Sequence, residues 1–237
     1  MLPIVCLSNH FRNLLLDILF SYLLLYHFFA MNTSSYMSTP IKNKKYICHL
    51  TALTNLESIV NRGLLPRNQL QEGQFVDTAN HDILQGRTQF HLGDFVPFHF
   101  DYHTAYDTSV KKTHRDIEFI YLCVNRSNAS KMGFLVLPIH PTSTNAVSPL
   151  PYDKGFDAID WNTMEMNKGK CNDENYRNQV RMAECIHKGT LNISDIDFII
   201  CRTDKIKNKI IGIFNKYQLQ NRPGIMVNAN FFEDLNL

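Results

Sequence analysis

The stretch "YICHLTALTNLESIVNRGLL" (residues 46–65) changes its periodicity halfway along. Tyr46, Cys48 and Leu50 alternate with Ile47 and His49, the two-residue period of a strand. Thr54 and Glu57 then stand three apart as a capping box, Leu56, Ile59 and Val60 supply a helical apolar stripe, and Gly63 ends it. A strand, a turn and a short helix are expected in that order. At the strand's mouth His49 and Thr51 point the same way, so two hydrogen-bonding side chains stand together where packing alone would accept apolar residues. A lone histidine at a strand end also reads as a structural residue with a satisfied ring, and the pattern fits both.

Working outward, strands are expected at "FVPFHF" (95–100), "EFIYLCV" (118–124), "FLVLPI" (134–139), "QVRMAECI" (179–186), "DFIICR" (197–202) and "GIMVNANFF" (224–232). Helices look few and brief, which predicts an α+β fold built on a mixed or antiparallel sheet. Residues 66–94 are polar and turn-rich and predict a long loop holding at most one helical turn; Pro141 to Asn178 is a second irregular stretch. Loops of that length in a compact domain more often carry function than fill space.

The chain has 237 residues, 44% hydrophobic and 19% charged, enough for one substantial core. Its formal charge of +2 demands no polyanionic partner, and the basic clusters Lys42 to Lys45, Lys111 to Arg115 and Lys205 to Lys209 read first as solvated faces. Six cysteines lack the density of a disulfide scaffold and the spacing of a zinc knuckle, so they read as buried thiols of a reducing compartment. His99 and His103, with His91 and His114 nearby, lack the acidic partner of a zinc helix, and no metal is expected. Neither GxGxxG nor GxxxxGK[ST] occurs, which removes the Rossmann and P-loop readings.

The first forty residues differ from the rest. "LLLDILFSYLLLYHFFA" (14–30) is nearly apolar but short for a membrane span and contains Asp17 and His27. A dispensable leader over residues 1–40 with an internal start at Met31 or Met37, a membrane anchor and a cleaved signal all fit; residues 41–237 form the expected domain.

In "QVRMAECI", period two puts Glu184 with Val180, Met182 and Ile186, and Arg181 on the opposite face. A carboxylate in apolar company needs a neutralising partner, and such arrangements collect at active sites. An edge strand, or a helix with Glu184 on its wet side, fits the pattern equally. Arg87, after a glycine in the long loop, carries little weight alone.

Taken together, "YICHLTALTNLESIVNRGLLPRNQL", "FVDTANHDILQGR", "DFVPFHF", "EFIYLCV", "GFDAIDWNTME", "RMAECI" and "IMVNANFF" resemble the DarT family of DNA ADP-ribosyltransferase toxins. The likeness lies in the ordered set from Tyr46 to Phe232. It implies an ADP-ribosyltransferase-like split sheet with long functional loops, NAD as co-substrate, and transfer of ADP-ribose to thymidine in single-stranded DNA. It further implies a cytoplasmic toxin held in check by an antitoxin that removes ADP-ribose. On this likeness His49, Leu50, Thr51 and Ser58 hold the nicotinamide end of NAD, with Asn55 a weaker candidate. The loop from Gln71 to Gln89 covers the dinucleotide, Arg87 matches the family's catalytic arginine, and Glu184 matches the glutamate that closes its motif. Residues 141–178 correspond to the substrate-recognition loop. Glu184 would steady the positive charge that builds on the ribose as the nicotinamide bond breaks. Arg87 holds its proton too tightly to act as a base and is assigned to charge stabilisation. Arg181, Tyr152, Phe156, Trp161 and Tyr176 are available for phosphates and bases. Transfer to RNA, another base or protein, and a non-catalytic nucleic-acid-binding module, are the alternatives.

Overall fold

The computed structural model describes residues 39–71, 73, 75–78, 87–141, 143 and 148–233. The expected leader therefore lies, but for its last two positions, outside the described residues. Lys45–Leu237 forms one compact unit.

Eight strands form one sheet: β1 (Tyr46–Ala52), β2 (Phe95–His99), β3 (Phe119–Asn125), β4 (Leu135–Leu137), β5 (Leu150–Pro151), β6 (Glu184–Lys188), β7 (Phe198–Cys201) and β8 (Gly224–Val227). Their spatial order is β5-β4-β6-β2-β1-β3-β7-β8. Neighbours are antiparallel except β7 and β8, which run parallel and are joined by a helical crossover. The sheet is split in the middle. Whereas β1 pairs with β3 along its whole length, it meets β2 only at Cys48 opposite His99. Pro97 in β2 has no N–H to lend to a ladder. Its carbonyl accepts instead from the Nδ1–H of His49 at 2.7 Å, so an imidazole occupies the seam where a strand pair would have closed.

The fully buried strand β3 anchors one half of the sheet. Tyr121 and Cys123 pack with Tyr102, Val110, Phe231 and Phe232, and Phe231 stacks on Tyr102 at 3.7 Å between ring centroids. Cys48 and Cys123, opposed in register, share a thiol hydrogen bond at 2.9 Å, and the described cysteines are all free. In the other half Arg126 is buried and donates through Nη2 to the Phe100 carbonyl at 2.9 Å, with the rings of Phe100, Phe156 and Trp161 around its guanidinium. Phe156 and Trp161, expected to be available to bases, are thus committed to packing.

The helices whose bounds lie among the described residues are α1 (Leu56–Arg62), α2 (Ala105–Thr113), α3 (Arg126–Lys131), α4 (Tyr152–Ala158), α5 (Trp161–Glu165), α6 (Glu174–Arg181) and α7 (Asp204–Lys216), and residues 87–89 are helical as well. Four sequence expectations need correction. The capping box at Thr54 does not form: a 3-10 turn over Leu53–Asn55 leads into α1, and Glu57 pairs with Lys216 at 2.6 Å instead. The strand expected over 179–186 begins only at Glu184, because Asp173 caps α6 through the Tyr176 N–H and the helix runs to Arg181. The alternation that set Arg181 opposite Glu184 therefore does not exist. Helices are not few: α7, capped by Thr203 and burying Ile206, Ile210 and Phe214, follows β7, and α4, α5 and α6 occupy much of the stretch expected to be irregular. The last strand stops at Val227, where Asn228 starts a 3-10 turn. Lys209 pairs with Glu118 at 2.7 Å, so the basic cluster at 205–209 belongs to the wet face of α7.

Gly63 ends α1 with φ 85° as its N–H returns to the Ile59 carbonyl. The next residue, Leu64, exchanges both backbone hydrogen bonds with Leu191. A Cβ at Gly63 would collide with the Thr190 methyl and come within 2.9 Å of the Leu191 carbonyl oxygen. Gly63→Ala is expected to cost about 1–3 kcal/mol of stability through strain and collision together. The urea midpoint measures it; an unchanged midpoint would contradict this account of the turn.

Candidate functional site

The open seam between β1 and β2 is the floor of a cavity of about 190 Å³. From β1 it takes His49, Leu50 and Thr51; from β2, Phe95, Val96, Pro97 and His99; from β6, Glu184. Asn55 and Ser58 at the start of α1 form one wall. The described part of the long loop, Phe75 to Thr78, and Arg87 form another. Residues 72, 74 and 79–86 of the loop expected to cover the ligand lie outside the described residues. All the residues assigned from sequence, His49, Leu50, Thr51, Ser58, Arg87 and Glu184, line this one cavity.

At its centre Arg87 donates through Nη1 to Glu184 Oε2 at 2.5 Å, and both side chains are nearly excluded from solvent. Burial pushes the Glu184 carboxyl up, but the charges of Arg87 and His99 and the Arg87 hydrogen bond outweigh it, and the net shift is downward. Glu184 is therefore a carboxylate at neutral pH. Lying first in β6, opposite His99 in β2 and Leu137 in β4, it is held by backbone on both sides.

His49 is pulled down to about 4, mainly by burial and against the bond to Pro97. With Nδ1 donating to that carbonyl, the neutral ring keeps its lone pair on Nε2. Thr51 Oγ1 accepts from Asn55 Nδ2 at 3.3 Å, while Ser58 Oγ accepts from Arg62 Nη2 at 2.8 Å. Asn55 also clamps the loop: its Nδ2 donates to the Val76 carbonyl at 3.1 Å and its Oδ1 accepts the Val76 N–H at 2.8 Å. Arg67, over the Phe75 ring, pairs with Asp77 at 2.6 Å and holds the same segment.

Tyr106, Asp107 and His140, which the sequence reading did not assign, also line the cavity, as does His99. Burial carries Asp107 up to about 6 and Tyr106 up to about 12, and lowers His140. A signal existed for His99, which ends a strand adjoining β1, but it was weighed only as a metal partner of His103. The two diverge: His99 lines this cavity, and His103 donates through Nε2 to the Asn230 carbonyl at 3.1 Å. Among the described residues no three His, Cys, Asp or Glu side chains are grouped to hold a metal ion. Of the expected DNA contacts, Tyr176 donates to Asp160 Oδ2 at 3.3 Å and Arg181 pairs with Asp101 at 3.3 Å.

Three buried polar atoms in the lining residues have no hydrogen-bond partner among the described residues: Arg87 Nη2, His99 Nδ1 and Asp107 Oδ1. Unsatisfied groups buried together are costly, and a polar ligand offers them partners. Their donors and acceptors fit a molecule rich in hydroxyls and amide groups, such as the nicotinamide riboside end of NAD.

Comparison with known proteins agrees with this geometry. The family model described as "ssDNA thymidine ADP-ribosyltransferase, DarT" matches residues 48–232. Among solved structures, the Thermus sp. 2.9 DarT in complex with ADP-ribosylated ssDNA superposes with a TM-score of 0.67 at 17% identity, over 80% of this chain and 96% of that one. The same protein in complex with NAD+ gives 0.64 at 16% identity, over 81% and 98%. The Thermosipho africanus DarTG in complex with ADP-ribose gives 0.56 at 12% identity, over 80% and 51%. No curated protein matches. With a family match spanning most of its length and a split sheet that brings His49, Arg87 and Glu184 into one cavity, this chain belongs to the DarT family of single-stranded DNA thymidine ADP-ribosyltransferases.

Proposed function

We propose that the cavity between β1 and β2 binds NAD and transfers its ADP-ribose to a thymine base of single-stranded DNA. The observation that carries this reading is the buried Arg87–Glu184 pair, held beside a neutral His49 with Arg87 Nη2 unpartnered. The likeness to DarT structures solved with NAD+ and with ADP-ribosylated ssDNA supports it.

In this role His49, Thr51 and the Leu50 backbone hold the nicotinamide and its ribose, with Ser58 at the rim. As the bond between nicotinamide and ribose breaks, its electron pair leaves with the nicotinamide and positive charge grows on the sugar. The Glu184 carboxylate stabilises that charge more than it stabilises the bound substrate, which is how a fixed ion accelerates such a step. Arg87 keeps Glu184 ionised and oriented, and its free Nη2 is a donor for the base as it loses a ring N–H proton and bonds to the ribose carbon. Two carboxylates, Glu184 and Asp107, are candidates to receive that proton.

The wider biology is proposed on the same basis: a cytoplasmic toxin paired with an antitoxin that removes ADP-ribose, the latter supported by the DarTG likeness. Residues 41–237 are taken as the transferase domain and 1–40 as a leader outside it. Among the described residues no helix is long and apolar enough to cross a membrane.

Incubated with NAD and a thymidine-containing oligonucleotide, the protein should give a product heavier by one ADP-ribose. Glu184→Gln, which keeps the side-chain shape, should slow its formation roughly 10²–10⁴-fold. Full activity of that variant, or no product from the native chain on any thymidine sequence, would end the proposal.

The buried acid gives a pH signature. Asp107 holds its proton in the folded state up to about pH 6, against 3.8 for the free group. The folded state therefore binds more protons across that interval, and this group's contribution to stability falls as pH rises through it. His49, at about 4 against 6.5, acts in the opposite direction over an overlapping range. Asp107→Asn removes only the first effect. Its denaturation midpoint should match the native chain's near pH 4 and exceed it by an amount worth roughly 1–3 kcal/mol at pH 7. A difference that stays constant across pH would show that Asp107 titrates normally.

A further inference from the structure

A second cavity, of about 690 Å³, lies beside the first. Thr104, Thr108, Lys112, Lys168, Arg177 and Arg181 are prominent in its wall. No acidic residue lines it among the described residues. Two cations of the wall have acidic partners behind it: Arg181 meets Asp101 at 3.3 Å and Arg177 meets Glu174 at 3.4 Å.

Arg177 is the informative residue. It is 3% exposed, its Nε donates to the Met166 carbonyl at 2.7 Å, and its Nη2 is buried without a partner among the described residues. A guanidinium kept from water with an unused donor, in a wall shared with Lys112, Lys168 and Arg181, suits a phosphate oxygen. The start of α2 adds to this: Thr104 caps the helix through the Asp107 N–H, and Ala105 is also in the wall, so the positive end of the helix dipole lies there.

The two cavities share their dividing elements. Tyr106 and Asp107 of α2 line the first, while Ala105 and Thr108 line the second. At the other side Met182 lines the first and Arg181 the second, close in sequence to Glu184. A strand with one base at Glu184 would carry its backbone past this wall.

We propose that the second cavity is a phosphodiester subsite that seats the backbone of the acceptor DNA next to the modified thymidine. This rests on the transferase reading of the first cavity for what the strand is doing there. The subsite supplies affinity for the oligonucleotide and not for NAD.

A scan of oligonucleotides, each with one phosphate replaced by an uncharged methylphosphonate, tests this without altering the protein. Binding is read by fluorescence polarisation without NAD, and KM for oligonucleotide and for NAD in the transfer assay. One or two adjacent linkages beside a thymidine should weaken binding and raise the oligonucleotide KM about tenfold, leaving the NAD KM unchanged. Lys112→Gln combined with Lys168→Gln, both exposed positions, should weaken binding in the same direction and reduce the sensitivity to those linkages, Arg177 remaining in place. Transfer that proceeds normally with no sensitive linkage, or with a linkage effect that persists in full in the double variant, overturns the subsite. Absence of transfer with a localised, variant-dependent linkage effect in binding overturns the transferase reading and leaves the subsite standing.

Discussion

The architecture turns on a strand pairing that does not close. An eight-stranded sheet would ordinarily zip along every neighbour, and β1 does so with β3. Toward β2 it finds Pro97, which has no N–H, and the imidazole of His49 takes the carbonyl that a backbone would have taken. The ring thereby satisfies a buried acceptor and props the strands apart. Neutrality is part of the same constraint: an imidazolium buried in that seam would pay for desolvation beside Arg87 and His99.

Once the seam is open, the charge placed across it follows. Glu184 begins β6, and Arg87 reaches it from a helical segment at 87–89, distant in sequence. Removing one member of such a pair strands the other charge, so the pair is better understood as orientation than as a source of stability. The pair leaves Arg87 Nη2 unused, and with His99 Nδ1 and Asp107 Oδ1 it gives the cavity more hydrogen-bonding capacity than the protein consumes. That surplus, more than the cavity's size, marks it as a place for a polar ligand.

Much of this was legible in the chain. The alternation in β1, the stop at Gly63 and the apolar runs of β2, β3 and β7 are local signals, and the structure follows them. The misreadings have local causes too. In "NQVRMAECI" a helix end and a strand start abut without a glycine or proline between them, and period two over apolar residues masked the change. The helix α7 announced itself by Thr203, Asp204 and the spacing of Ile206, Ile210 and Phe214, but its lysines drew attention to charge instead. His49 and Glu184 were singled out because polar groups among apolar ones are conspicuous. Asp107 and His140 were not, since one sits on a helix and the other after β4, and only the tertiary fold brings them to the opening that His99 reaches through the strand register.

The far end of the sheet has its own consequence. Strand β5 is two residues long and ends in Pro151, opposite Leu135 of β4. An exposed strand border is an invitation to a second chain, and a long flat one templates aggregation. Here the border offers almost no ladder, and its last residue cannot donate. The proline that shortens it acts as a gatekeeper, keeping intermolecular β-addition from starting on this side of the molecule.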